Sequence, residues 1–299
     1  MVDNKPKYRQ EALRLIQSIR WFAGSLANVD IVVCLVEGSN APFVAALERW
    51  EVTIRTVKRF SRAYPYANKL RFFELPEIYA YDTVMFLDCD TLVMRDPSAY
   101  ISGENFQAKI ENHQSVPLTT FEDIFIYYNL PLPPCDYLTA ISGQPTIWYC
   151  NTGVLIFPTP LLRDLYPRWK KYTQDLIAHK ALLMDNAKFL EQVTLTLAYA
   201  EAPLPFAELP IAMNFPLLRK RTLRTPQSPI VQAHCDCDPV IIHYRHRVNA
   251  DGSIANVANS PFVQARIHRF NYRLRNDEWL LMSDTNIMGK VRQTRTALG

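Results

Sequence analysis

Tyr81-Asp82-Thr83-Val84-Met85-Phe86-Leu87-Asp88-Cys89-Asp90-Thr91-Leu92 decides how this chain reads. Thr83 to Leu87 carry no charge and suit a strand buried in a sheet, and two aspartates two apart follow at once. Side chains two apart on an extended backbone point the same way. Asp88 and Asp90 are therefore expected to project together from the carboxyl end of the strand, where open α/β sheets bind ligands. Two carboxylates so close repel each other unless a cation or protons intervene, and hard oxygen ligands suit Mn²⁺ or Mg²⁺. The competing reading makes one aspartate a turn cap and leaves the other solvated.

Outward from this stretch, helix and strand alternate. Ala12, Leu15, Ile16, Ile19, Phe22, Ala23 and Leu26 recur at helical spacing, with Gly24 where that helix should stop. Ile31 to Val36 is a continuous apolar strand ended by Glu37-Gly38-Ser39-Asn40. A second helix is expected from Ala41 to Trp50, a strand through Val52, Ile54 and Thr56, and a helical stretch from Asn68 to Leu75 stopped by Pro76. Residues 111 to 147, with Pro131, Pro133 and Pro134, suggest an irregular insertion forming one wall of a cleft. Trp148 to Phe157 returns to strand character, Leu162 to Leu176 reads as a long amphipathic helix, and Glu191 to Ala200 as a shorter one. The alternation predicts a largely parallel sheet covered by helices. One position in that sheet stays open. Only a few polar residues precede the first helix, so either a strand is missing, with an open edge or an unfilled groove beside Ile31 to Val36, or another segment fills its place.

Bulk properties narrow the partners. The chain has 299 residues, 48% hydrophobic, enough for a large folded core. A net charge of +4 does not suggest nucleic acid binding. No apolar run reaches the roughly 20 residues of a membrane span, and the first residues lack a signal-peptide core, so a cytoplasmic protein is expected. The basic run Arg219-Lys220-Arg221 with Arg224 reads first as solvated surface, and otherwise as a contact for an anionic acceptor or a membrane face. The six cysteines show no zinc spacing and read as reduced, mostly buried thiols.

Asn68-Lys69-Leu70-Arg71 and Val84 to Val93, followed in order by Asn151-Thr152-Gly153-Val154, Glu191-Gln192 and Ile241-Ile242-His243-Tyr244, together resemble nucleotide-sugar glycosyltransferases. The resemblance is to the A-type fold and, within it, to the glycogenin and lipopolysaccharide-galactosyltransferase group, glycosyltransferase family 8. It implies a Rossmann-like α/β sheet, mixed but mostly parallel, with a catalytic domain over residues 1–250 and a helical extension with a basic tail over 251–299. It implies that Asp88, Asp90 and His243 hold Mn²⁺ or Mg²⁺ on the diphosphate of a donor, and that Lys69, Asp88, Cys89, Asn151 and Gly153 contact the donor. Glu191 and Gln192 are implied at the reacting face of the sugar. The implied reaction moves a hexose, from a UDP-linked donor, to a sugar or glycan acceptor with retained configuration.

This sequence departs from the family pattern at two places. Glu191-Gln192 stands where Asp-Gln is usual, one methylene longer. After His243 the family's glycine and lysine are absent, and Arg245 or Arg247 would have to supply the positive charge. A phosphatase of the haloacid dehalogenase type also opens with two aspartates after an apolar strand, but Leu92 stands where that motif has threonine or valine. A silent nucleotide-sugar-binding protein is the reading from outside enzymology.

Overall fold

The computed structural model describes residues 1–218, 236–258 and 260–276. The chain opens with α1 (Pro6–Phe22), whose proline sits in the first turn, where its missing N–H costs nothing. The helix stops before Gly24, which takes a positive φ of 58°. β1 (Val32–Val36) follows, then the turn at Glu37 and Gly38, α2 (Ala41–Glu48) capped by Asn40, and β2 (Thr53–Val57), parallel to β1. Pro65–Glu74 is a 3₁₀ segment rather than an α-helix, ending before Pro76 as the sequence suggests. β3 (Thr83–Leu87) and β4 (Thr91–Val93) flank the two aspartates.

β5 (Phe106–Ile110) leads into the region read as irregular. It holds α3 (Leu118–Tyr127) and a small hairpin of β6 (Tyr137–Leu138) and β7 (Pro145–Thr146). The helix was legible. Phe121, Ile124 and Phe125 are buried at helical spacing, a signal outweighed by the surrounding prolines. β8 (Cys150–Pro158) is buried throughout and is an interior strand of its four-stranded sheet, antiparallel to β3 and to β5. α4 (Thr159–Ala178) and α5 (Leu190–Glu201) pack on one another, with Trp169 Nε1 donating to the carbonyl of Glu191 at 3.0 Å. β9 (Phe206–Glu208) joins β5 in parallel; β10 (Phe215–Pro216) and β11 (Ile241–His243) form a second sheet with β4. The last described helix, α6 (Pro261–Asn276), buries Val263, Ile267, Phe270 and Leu274 against Phe22, Leu92 and Ile242. The basic run at 219–224 and the tail after 276 lie outside the described residues.

The groove expected beside Ile31 to Val36 is present. A cavity of about 630 Å³ lies between β1 and β3, lined by Ile16, Ile31, Val33, Met85 and Leu87. Val2 enters its end and pairs with β1, its amide donating to Cys34 at 2.8 Å and its carbonyl accepting from Val36 at 2.9 Å. Among the described residues no helix is long and apolar enough to cross a membrane. Of the described cysteines none is in a disulfide; Cys34 and Cys150 are buried, Cys89 and Cys237 half-buried and Cys135 exposed, so fewer are buried than expected.

Candidate active site

Strand register assembles the site. Asp88 and Asp90 do not lie on an extended strand. They sit on the tight turn between β3 and β4, closed by Thr91 N and Thr91 Oγ1, which both donate to the Asp88 carbonyl, at 3.1 and 2.7 Å. The acids converge because the chain folds back there, not through strand alternation. β11 runs antiparallel to β4 with His243 opposite Thr91, and Tyr244 N donates to the Asp90 carbonyl at 3.0 Å. One donor atom from each of Asp88, Asp90 and His243 then falls within 4.8 Å of the others, and His243 Nε2 lies 3.2 Å from Asp90 Oδ1. Burial opposes the Asp90 charge, but His243 and its hydrogen bond hold the carboxyl down to about 2. Glu11 on α1 is buried nearby; burial first, and then the Asp90 charge, push it up to about 7.

Lys69 is buried and spans two of the other expected residues. Its Nζ lies 3.0 Å from Asp88 Oδ1 and 3.8 Å from Glu191 Oε1, and donates to Thr152 Oγ1 at 3.1 Å. Burial works against its charge, and Asp88 and then Glu191 more than offset this, so the ammonium is favoured. Glu191 is raised chiefly by burial, with Lys69 opposing; the Tyr64 hydroxyl donates to its Oε2. Gln192 accepts from the Tyr149 hydroxyl at 2.7 Å. Tyr64 and Tyr149 were missed by sequence reasoning, because a hydroxyl partner far along the chain carries no spacing signal, and Thr152 stands in a quoted motif without a role of its own.

Three expected residues make contacts within the protein that their sequence reading does not include. Between Ala108 and Lys109 the pairing of β5 with β8 jumps from Leu155 to Asn151, a bulge that re-aims the segment carrying Asn151 and Gly153. Asn151 faces inward: its Oδ1 accepts from Gly153 N at 3.0 Å and from Asn214 Nδ2 at 2.8 Å, and its Nδ2 donates to Glu111 at 2.8 Å. Gly153 leaves room for the His243 ring, since a Cβ there would meet His243 Cε1 at 2.7 Å and Nδ1 at 2.8 Å. Gly153→Ala should therefore push the buried imidazole aside and cost about 1–3 kcal/mol of stability. Denaturant unfolding checks this, and a change within about 0.5 kcal/mol, the scatter of ordinary surface substitutions, would mean that the ring yields freely. Cys89 turns its thiol to the carbonyl of Met1, 3.2 Å away, between the two acids but not alongside them.

Arg245 is exposed next to His243, with φ at 55°, so the chain makes a left-handed turn without a glycine. Its charge reaches Lys109, Glu111 and His113. Lys109, fully buried, is lowered to about 8 by that burial.

A mixed α/β sheet with paired acids in the turn after a buried strand, and a histidine brought beside them, is what the resemblance to A-type glycosyltransferases implies, and the comparisons with known proteins agree. The overall structure superposes on that of the galactosyltransferase LgtC, solved with donor and acceptor sugar analogues, with a TM-score of 0.58 over 97% of this chain and 99% of that one at 12% identity. It also superposes on the glycosyltransferase GlyE of Streptococcus pneumoniae, with a TM-score of 0.51 over 95% of this chain and 66% of that one at 13% identity. At such identities the likeness establishes the fold. No curated protein matches the chain by sequence. The family described as the Rhodobacterales glycosyltransferase domain matches residues 1–202, and the chain belongs to it. The phosphatase reading of the two aspartates falls with that match.

Proposed function

We propose that the chain is a cytoplasmic, metal-dependent hexosyltransferase that takes its sugar from a nucleotide-diphosphate donor, UDP-linked, and passes it to a sugar or glycan acceptor with retention. The observation that carries this reading is the convergence of Asp88, Asp90 and His243, whose donor atoms lie within 4.8 Å of one another. Two carboxylates and an imidazole suit Mn²⁺ or Mg²⁺. When bound, such an ion neutralises charge on the departing nucleotide diphosphate.

The chain's own residues do the rest. Lys69 holds Asp88 and Glu191 in a fixed relation, so the carboxylates of the turn and of α5 cannot drift apart. Arg245, exposed beside His243, offers a guanidinium to the diphosphate oxygens in place of the family's lysine. Glu191 and Gln192, held by Tyr64 and Tyr149, line the reacting face of the sugar. A rigid carboxylate there suits a retained anomer better than a dedicated base for inversion. Proton NMR of the first-formed product should show the donor's configuration kept, and an inverted anomer would overturn the roles given to Glu191 and Gln192.

The donor is found by a thermal-shift screen of nucleotide sugars with and without Mn²⁺. The true donor should raise the melting temperature by mass action, and more so with the metal. Shifts that ignore Mn²⁺ for every donor would speak against metal dependence.

A further inference from the structure

Behind His243 runs a chain of polar groups that the transfer reaction does not itself call for. His243 Nδ1 lies 3.2 Å from Asn214 Oδ1; Asn214 Nδ2 donates to Asn151 Oδ1 at 2.8 Å; Asn151 Nδ2 donates to Glu111 Oε2 at 2.8 Å. Glu111 is anchored in turn, its Oε1 accepting from Asn112 N at 2.7 Å and Asn112 Nδ2 at 3.0 Å. Every side chain of the series is buried, Asn214 being 1%, Glu111 3%, Asn151 4% and His243 8% exposed, so bulk water does not compete for these bonds.

The direction of each bond is forced. Despite its burial, Glu111 is held below the usual carboxylate range, with Lys109 and the Asn112 amide favouring its charge. It can therefore only accept, which turns Asn151 Nδ2 towards it. Asn151 Oδ1 then faces the opposite way and receives two donors, Gly153 N and Asn214 Nδ2. Asn214 must point its nitrogen at Asn151, which leaves its Oδ1 for His243. An amide oxygen accepts only, so the His243 ring must carry a hydrogen on Nδ1. Nε2 is then the ring atom turned to the two aspartates, 3.2 Å from Asp90. Gly153 completes the seat by leaving room for the ring.

We infer that Glu111, Asn151 and Asn214 are positioning residues that fix the Nδ1–H tautomer and the plane of His243, holding Nε2 ready for a divalent cation. The inference rests on the metal reading of Asp88, Asp90 and His243, but its central statement concerns the metal-free ring. A partner on the far nitrogen of a ligating imidazole typically tunes affinity by 10–100-fold.

The test is nitrogen-15 NMR of histidine-labelled protein without metal over a pH series from roughly 6 to 9, so that neutral and protonated rings are told apart. The His243 signals are assigned by their loss in His243→Gln. In the parent protein Nδ1 should carry the proton; a ring found as the Nε2–H tautomer overturns the inference without any further variant. In Asn214→Leu the Nε2–H form should become populated, and Mn²⁺ affinity by calorimetry should fall at least about 10-fold. Glu111→Gln, which keeps the shape and lets either amide orientation stand, should give a smaller shift of the same kind. Unchanged tautomer signals in a folded Asn214→Leu protein would also overturn it. Should the parent bind no Mn²⁺ while its ring is Nδ1–H, the relay stands and the metal reading alone fails.

Discussion

Asp90→Asn should leave a folded protein whose sugar transfer is lower by on the order of 10² or more. The amide keeps nearly the volume of the carboxylate but removes an anionic ligand at the point where leaving-group charge grows, and 10² corresponds to about 2.7 kcal/mol of transition-state stabilisation. Asp88→Asn should lose as much, with a difference that only the structure reveals. Asp88 is the 3.0 Å partner of the buried Lys69, so this variant should also melt lower than Asp90→Asn. His243→Ala should lose less, since water can take its place, and added Mn²⁺ should partly restore it. Chelation should abolish transfer by the parent protein and Mn²⁺ or Mg²⁺ should return it. Transfer surviving thorough chelation, or near-parental rates in both asparagine variants, would remove the metal from the mechanism.

Lys69→Met is expected to be the most destabilising single change at the site, by about 3–5 kcal/mol. The methionine fills the space of the lysine stem but leaves Glu191 buried without its cation, and burial already pushes that carboxyl upwards. Asp88 loses its closest positive partner at the same time. The sign with pH follows from Glu191. A carboxyl whose folded value is raised binds its proton more tightly when folded, so its destabilising effect is absent in acid and grows as pH rises above the ordinary glutamate range. In Lys69→Met this penalty should deepen, because the opposing cation is gone, and adding Glu191→Gln should recover part of the loss. Denaturant unfolding from acid to neutral pH measures it. A loss below about 1 kcal/mol, typical of an exposed pair, would mean that Lys69 is not the buried link described here.

Local pattern was enough for the elements that carry the fold. α1, β1, β3 and α4 follow from apolar spacing, and Gly24, Asn40 and Pro76 mark the end of α1, the start of α2 and the end of the 3₁₀ segment, because period and punctuation are properties of neighbouring residues. The order of short motifs was enough to place Asp88, Asp90 and His243 in one set, although Asp90 and His243 stand 153 positions apart. Tertiary structure alone decided how these side chains are held. The acids meet through a turn, Gly153 serves the imidazole, Lys69 ties Asp88 to Glu191, and Glu111 and Asn214 stand in line behind His243. Glu111 and Asn214 belong to no periodic pattern. Their partners come from the bulge in β8 and from the pairing of β11 with β4, and a hydrogen bond across strands depends on register, which the spacing of residues along one segment does not encode.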